Sequence, residues 1–278
     1  MIYSIYHFFR MLVHRKGSFT SIDRLADFPF DEAMLSCRID ARFPDMAIRL
    51  SHANRLFSGG ELIELKDSKS DKIPSFNSTI PQASKRIDDL IQGNRNIIRS
   101  KMEEAGDDPA SLPIRDVYYL VRGRFERRGA VKAVLVHGSF FETISVKELI
   151  ASAFQDVIWS IASEDYCEAT VFEKLDYGAF ADQSLFSQTR HIEGAGVTLR
   201  FRIMTEVNKD ANLLNSTSYP AIKDNTLNLL VPCEDHSVKK RIMTRVSNVF
   251  SEDEIRSLRI FRIRHLLNGY YIVFQVDL

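Results

Sequence analysis

Apolar positions recur along the chain with two different periods, and the changes between them mark its elements. Residues 1–16 place Ile5, Phe8, Phe9, Leu12 and Val13 on one helical side, and His14, Arg15, Lys16 and Gly17 supply a charged last turn and a stop. A short helix is expected from Ile22 to Ala26 before Pro29, and further helical turns from Asp31 to Cys37, where Glu32, Ala33, Met34 and Leu35 favour helix. Met46, Ala47, Ile48 and Leu50 then make a short apolar run that suits a strand. Ser58, Gly59 and Gly60 are small, conformationally permissive residues at which the chain can reverse. The next arm alternates strictly: Leu62, Glu64, Lys66 and Ser68 point one way, and Glu61, Ile63, Leu65 and Asp67 the other.

Ser68 to Pro81 is rich in Ser, Thr, Asn and Pro and reads as a connector. Gln82 to Ala105 has the spacing of a long helix, with Ile87, Leu90, Ile91, Ile97, Ile98 and Met102 as its stripe. Continuous apolar runs at Asp116 to Val121 and Val131 to Phe141 suit strands buried on both faces, and a helix is expected from Ser145 to Ala162. This order of strands and helices predicts an α/β fold, a mixed central sheet flanked by helices. From about Asp165 shorter strands and polar connectors take over. Strands are expected at Val197–Met204 and Thr226–Val231, a helix at His236–Phe250, and a hairpin whose Asn268-Gly269 fits a type I′ turn. The expected organisation is a core over 1–164 with an N-terminal helical region, followed by an α+β subdomain over 165–278.

Composition narrows the function classes. Apolar residues at 45% and charged ones at 27% are ordinary for a globular protein and remove disorder as a default. Lys plus Arg equals Asp plus Glu at 37 each, so no global field draws the chain to nucleic acid, and any such binding needs local patches. Three exist in sequence: Arg122, Arg124, Arg127, Arg128 and Lys132; Lys239, Lys240, Arg241 and Arg245; and Arg256, Arg259, Arg262 and Arg264. Cys37, Cys167 and Cys233 are odd in number and widely spaced, which suits a reducing cytoplasm rather than a disulfide framework. The apolar start, residues 1–13, is interrupted by His7 and Arg10 and falls short of a membrane span.

The chemistry gathers at the two arms around the glycines. Glu64 and Lys66 share a strand face, roughly 6 to 7 Å apart at Cα, and pairing of the arms would set Asp45 beside them. Two carboxylates offer the hard oxygen donors that Mg²⁺ prefers. A lysine beside them would favour hydroxide and offset charge growing on a phosphate. Asp40 is the rival for the first acid, and an edge-strand ion pair between Glu64 and Lys66 is the structural alternative for the whole motif. His137-Gly138-Ser139 lacks a nucleophile elbow and has no acid placed by sequence.

Pro44-Asp45, eighteen residues, then Glu64-Leu65-Lys66 resembles the PD-(D/E)XK signature of metal-dependent nucleases, and in length and layout is most similar to a type II restriction endonuclease. The resemblance covers about residues 30 to 145 in pattern and the four motif residues by identity. It implies a restriction-endonuclease-like core in which Asp45, Glu64 and the Leu65 backbone carbonyl bind Mg²⁺ while Lys66 activates water. The reaction it implies is hydrolysis of double-stranded DNA to a 5′-phosphate and a 3′-hydroxyl, by a symmetric homodimer on a palindromic site. Ser75, Asn77, Ser78 and Thr79 in the connector, with Arg122, Arg124, Arg127 and Arg128, are the candidate DNA contacts, and the C-terminal subdomain would carry recognition. A repair or structure-specific nuclease, and a catalytically silent DNA-binding protein, are the competing functions.

Overall fold

The computed structural model describes residues 35–38, 43–48, 50, 59–77, 80–88, 96–104, 106–161, 192–194, 196–199, 204–248 and 250–278. The two N-terminal helices, Asp40 and the boundary expected at residue 165 lie outside the described residues. The fold is mixed α/β. Its strands are β1 (Leu35–Arg38), β2 (Met46–Ile48), β3 (Leu62–Ser68), β4 (Phe76–Asn77), β5 (Ser84–Arg86), β6 (Ile114–Phe125), β7 (Ala130–His137), β8 (Ile192–Gly194), β9 (Val197–Leu199), β10 (Met204–Thr205), β11 (Thr226–Pro232), β12 (Arg259–His265) and β13 (Gly269–Asp277). Helices span Asn96–Glu104, Val146–Ile161, His236–Ser247 and Glu252–Ser257.

One nine-stranded sheet has the order β1-β2-β3-β6-β7-β11-β13-β12, with β5 added to the start of β6. β3 runs parallel to β6 and β7 parallel to β11, while the remaining pairs are antiparallel. β7 therefore bonds directly to β11, so strands from both sides of residue 165 share one sheet. β8 pairs with β9, and β4 with β10, as separate two-stranded ribbons.

Several elements differ from their expected form, for local reasons. Leu35–Arg38 is a strand rather than helix, because it pairs with β2, Cys37 opposite Ala47 and Arg38 opposite Met46. Helix propensities of tenths of a kcal/mol per residue yield to such a ladder. Of the helix expected from Gln82, the described helical parts are Ile87–Asp88 and Asn96–Glu104, while Ser84–Arg86 pairs with the edge of β6 instead. β6 extends to Phe125, so Arg122 and Arg124 are strand residues rather than turn residues. The C-terminal hairpin forms, but His265 faces Gly269 across a three-residue loop. Gly269 alone there has positive φ, at 76°, whereas a type I′ turn needs two such residues.

Strand alternation divides the core into two layers. On one face Leu62, Tyr119, Val136, Leu230 and Val273 pack under Phe76, Phe140 and the segment carrying Leu213, Leu214, Tyr219 and Ile222. On the other, Ile63, Tyr118, Leu135, Leu229 and Ile272 pack against Val246, Phe250 and Leu258, which brings the helix His236–Ser247 to that face.

Next to the start of β6, the Arg115 guanidinium bonds both oxygens of Asp107, at 2.7 and 3.1 Å, with neither side chain exposed. Asp107 Oδ1 also accepts the Leu50 N–H at 3.3 Å, tying the end of β2 to β6. Removing one partner of a buried pair strands the other charge. Asp107→Ala and Arg115→Met are each expected to cost about 3 to 5 kcal/mol in urea unfolding, and the double variant Asp107→Leu/Arg115→Met clearly less than the sum of the two. A double variant that loses the full sum would show that the stranded charge is not what costs.

Candidate functional site

Met46 stands opposite Ile63 and Ala47 opposite Leu62, so the next step outward sets Asp45 against Glu64. Gly59 and Gly60, with φ of 71° and 98°, lie at the return into β3. A side chain at Gly60 would also meet Leu112, whose Cδ2 is 2.6 Å from the position of a Cβ. Asp45 Oδ2 accepts the Leu65 N–H at 2.7 Å, which fixes the acid at the end of β2. On an extended strand a residue's N–H and C=O face the same edge, so the Leu65 carbonyl is turned toward Asp45 as well.

Lys66 Nζ donates to Glu64 Oε1 at 2.9 Å, with only 13% and 11% of the two side chains exposed. The ammonium also sits 5.0 Å from the Phe76 ring centroid, a cation–π contact that holds it from the other side. Phe76 in turn meets Tyr119 edge-on at 5.1 Å. Tyr119 is opposite Glu64 across β6 and fully buried, and its hydroxyl pKa is pushed up by burial and by the Glu64 charge. The structure therefore brings Asp45, just before β2, together with Glu64, the Leu65 backbone and Lys66 in the middle of β3.

Burial raises the Glu64 pKa above its ordinary value, and the Asp45 charge adds to the rise, while the Lys66 charge and hydrogen bond oppose it. Glu64 Oε2 is buried and has no hydrogen-bond partner. An orphaned carboxylate oxygen costs free energy unless something polar or cationic meets it. Among the described residues no cluster of three His, Cys, Asp or Glu side chains is positioned for a metal. The donor set here is two carboxylates and a main-chain carbonyl, all oxygen. Mg²⁺ tolerates so few protein ligands because it keeps several waters, and the residues fit it in number and kind.

The candidate DNA contacts fare differently. Ser75 is half-buried just before Phe76, and Asn77 pairs with Met204 in the β4–β10 ribbon. Ser78 and Thr79 lie outside the described residues. Arg122 and Arg124 project from the sheet face opposite Glu64 and converge on Asp67, at 2.8 and 2.7 Å, lowering the Asp67 pKa. Arg128 stacks on Phe125 at 3.8 Å and pairs with Asp71 at 3.0 Å and Asp224 at 2.9 Å. Lys132 is fully buried, bonded to Leu214 O and Ser216 Oγ. Arg127 alone of this group is exposed with no ion pair among the described residues. The basic stretch is thus largely neutralised in place by three aspartates that are distant in sequence.

Tyr119 and Phe76 are site neighbours that sequence reasoning missed. Tyr119 reads as a buried strand residue and Phe76 as part of the Ser68–Pro81 connector, and only the parallel register of β3 on β6 puts Tyr119 against Glu64. His137 Nδ1 meets Ser139 Oγ at 2.8 Å and accepts the Ser139 N–H at 3.3 Å, capping a 3-10 turn, with Asp116 4.0 Å from Nε2.

A raised Glu64 pKa means that the folded protein binds this proton more readily than the unfolded chain. Its stabilising effect is complete below the ordinary value of 4.5 and is lost as pH rises through the folded value. In metal-free buffer the melting temperature of Glu64→Gln should gain on that of the native chain as pH rises from 4 to 8. Binding of Mn²⁺, followed by calorimetry, should weaken toward acid because it competes with that proton; a pH-independent affinity would exclude Glu64 as a ligand.

The chain matches no protein-family model, no curated protein and no solved structure, so the functional reading rests on this geometry.

Proposed function

We propose that the chain is a Mg²⁺-dependent endonuclease hydrolysing phosphodiester bonds in double-stranded DNA, of the type II restriction kind and acting as a symmetric homodimer. The observation that carries the reading is the meeting of Asp45, at the start of β2, with Glu64 and Lys66 on β3, with an unsatisfied Glu64 oxygen among them. Asp45, Glu64 and the Leu65 carbonyl would hold the metal, which when bound supplies Lewis-acid polarisation of phosphate and a more acidic water. Lys66 is already held between Glu64 and Phe76, so its charge needs little reorganisation to offset the negative charge growing on the phosphate. Phe76 and Tyr119 close the inner side of the site and keep water from it, which strengthens each of these interactions.

One feature favours a rival. The Glu64–Lys66 pair is complete by itself at 2.9 Å, as a purely structural ion pair would be. A catalytically silent DNA-binding protein would then show no metal binding that depends on Asp45 and Glu64.

With Mg²⁺ and mixed duplex DNA, the native chain should produce discrete fragments. Glu64→Ala and Lys66→Ala should each lower the rate by about 100-fold or more while retaining a native circular dichroism spectrum. Folded native protein that leaves all DNA intact with both Mg²⁺ and Mn²⁺ would sink the nuclease reading.

A further inference from the structure

The third basic cluster of the sequence separates, in the fold, into cations that are used and one that is not. Arg256 is paired with Glu252 and Asp253, and Arg259 with Asp277. Arg262 donates to the carbonyls of Cys233 and Glu234 and lies 4.4 Å from the Tyr270 ring centroid. Arg264 is exposed and has neither ion pair nor hydrogen bond among the described residues. It borders a pocket of about 340 Å³ shared with Lys209, Asp210, Thr217, Ser218, Tyr219 and Leu266. Lys209 is likewise an exposed cation without an ion pair, so the two bases outnumber the single Asp210 carboxylate.

The pocket walls are rigid. On one side Asn212 Nδ2 donates to Asp71 O at 2.7 Å, Lys132 holds Leu214 O, and Gln275 Nε2 donates to Ala221 O at 3.1 Å. On the other, His265 Nδ1 accepts the N–H groups of Leu267 and Asn268 at 3.2 and 3.0 Å. The Asn268 amide bonds Ser139 O and Phe140 O at 2.6 and 3.1 Å. This fixed tip nevertheless leaves Leu266 and Leu267 64% and 68% exposed. Unpaired cations and the Thr217 hydroxyl beside exposed apolar side chains match a nucleic-acid backbone, which presents phosphates next to apolar sugar edges.

Placement decides which of the basic patches can share a substrate with Glu64. The pocket segment covers the same sheet face as Tyr119 and Arg264 borders it from the edge strand β12, although alternation with Ile263 sets Arg264 toward the other face. The helix carrying Lys239 and Lys240 packs on that other face. Glu64, Tyr119, Val136, Leu230, Val273 and Phe261 lie in one row from β3 to β12. Five strand spacings make this about 24 Å, or roughly seven base pairs at a 3.4 Å rise.

We propose that the pocket formed by Lys209, Thr217 and Arg264 binds a backbone phosphate of duplex DNA, with Leu266 and Leu267 resting against the adjoining sugar edge. The placement of that duplex across Asp45, Glu64 and Lys66 rests on the nuclease reading; the pocket's affinity for it does not.

The test is fluorescence anisotropy of a labelled mixed-sequence duplex with the full chain in metal-free buffer, over a series of salt concentrations. Lys209→Ala/Arg264→Ala should weaken binding about tenfold or more and flatten the salt slope by about 1 to 2. Lys239→Ala/Lys240→Ala should leave both quantities near native. Arg264→Glu, a single exposed change, should reproduce the loss, and circular dichroism checks each fold. Unchanged affinity and slope in the double variant would overturn the proposal, as would a native chain that binds no duplex. Inorganic phosphate bound at the pocket without duplex binding would overturn DNA as the source. If binding falls in the double variant while no preparation cuts DNA, the pocket stands and the nuclease reading fails. Unaltered binding together with Glu64-dependent cutting would leave the nuclease standing and remove the pocket.

Discussion

The pairing of β2 with β3 is the constraint on which the candidate site depends. Alternation on β3 sends Glu64 and Lys66 to one face and Leu65 and Asp67 to the other, and a slip of one residue would exchange them. The register of β2 prevents that slip by burying Ala47 and Leu62 on one side and Ile48 and Ile63 on the other. Leu65 N–H then binds the Asp45 carboxylate where the regular ladder stops. The chemistry sits where a strand has run out of partners but its direction is still enforced by the core.

Burial also makes the same place costly to hold. Taking Glu64 to 9% exposure raises its pKa and leaves Oε2 unmet, and Lys66 offsets only part of that cost. A hydrophobic core with Phe76 and Tyr119 around it has no structural need for a carboxylate, since replacing a buried ion pair with apolar side chains is often neutral or favourable. The retained charge is therefore better explained by something the site meets than by its contribution to folding.

Local pattern made much of this legible. The alternation of Leu62 to Ser68 placed Glu64 and Lys66 on one face, and the apolar runs of β6 and β7 read correctly as buried strands. Partnerships between distant segments were not legible, because no local signal encodes a parallel register. Tyr119 opposite Glu64, and Asp67, Asp71 and Asp224 beside the arginines, all depend on it or on loops that return from far along the chain. Leu35–Arg38 shows the same limit from the other side, since helix-forming residues became a strand once β2 offered a ladder.

Zero net charge takes on a definite meaning in this arrangement. Arg122, Arg124, Arg128, Arg256 and Arg259 are each consumed by an aspartate or glutamate, and consumed charges neither steer nor bind a polyanion well. What acts at a distance is the residue of the sum, the few cations left over. Those on the helix His236–Ser247 occupy one side of the sheet, the segment carrying Lys209 covers the side of Glu64, and Arg264 stands on the edge strand β12, where it borders the same pocket as Lys209. A neutral chain can hold a localised field for nucleic acid if its acids are spent on particular arginines and the remaining cations gather at one place, as Lys209 and Arg264 do at the edge of the sheet.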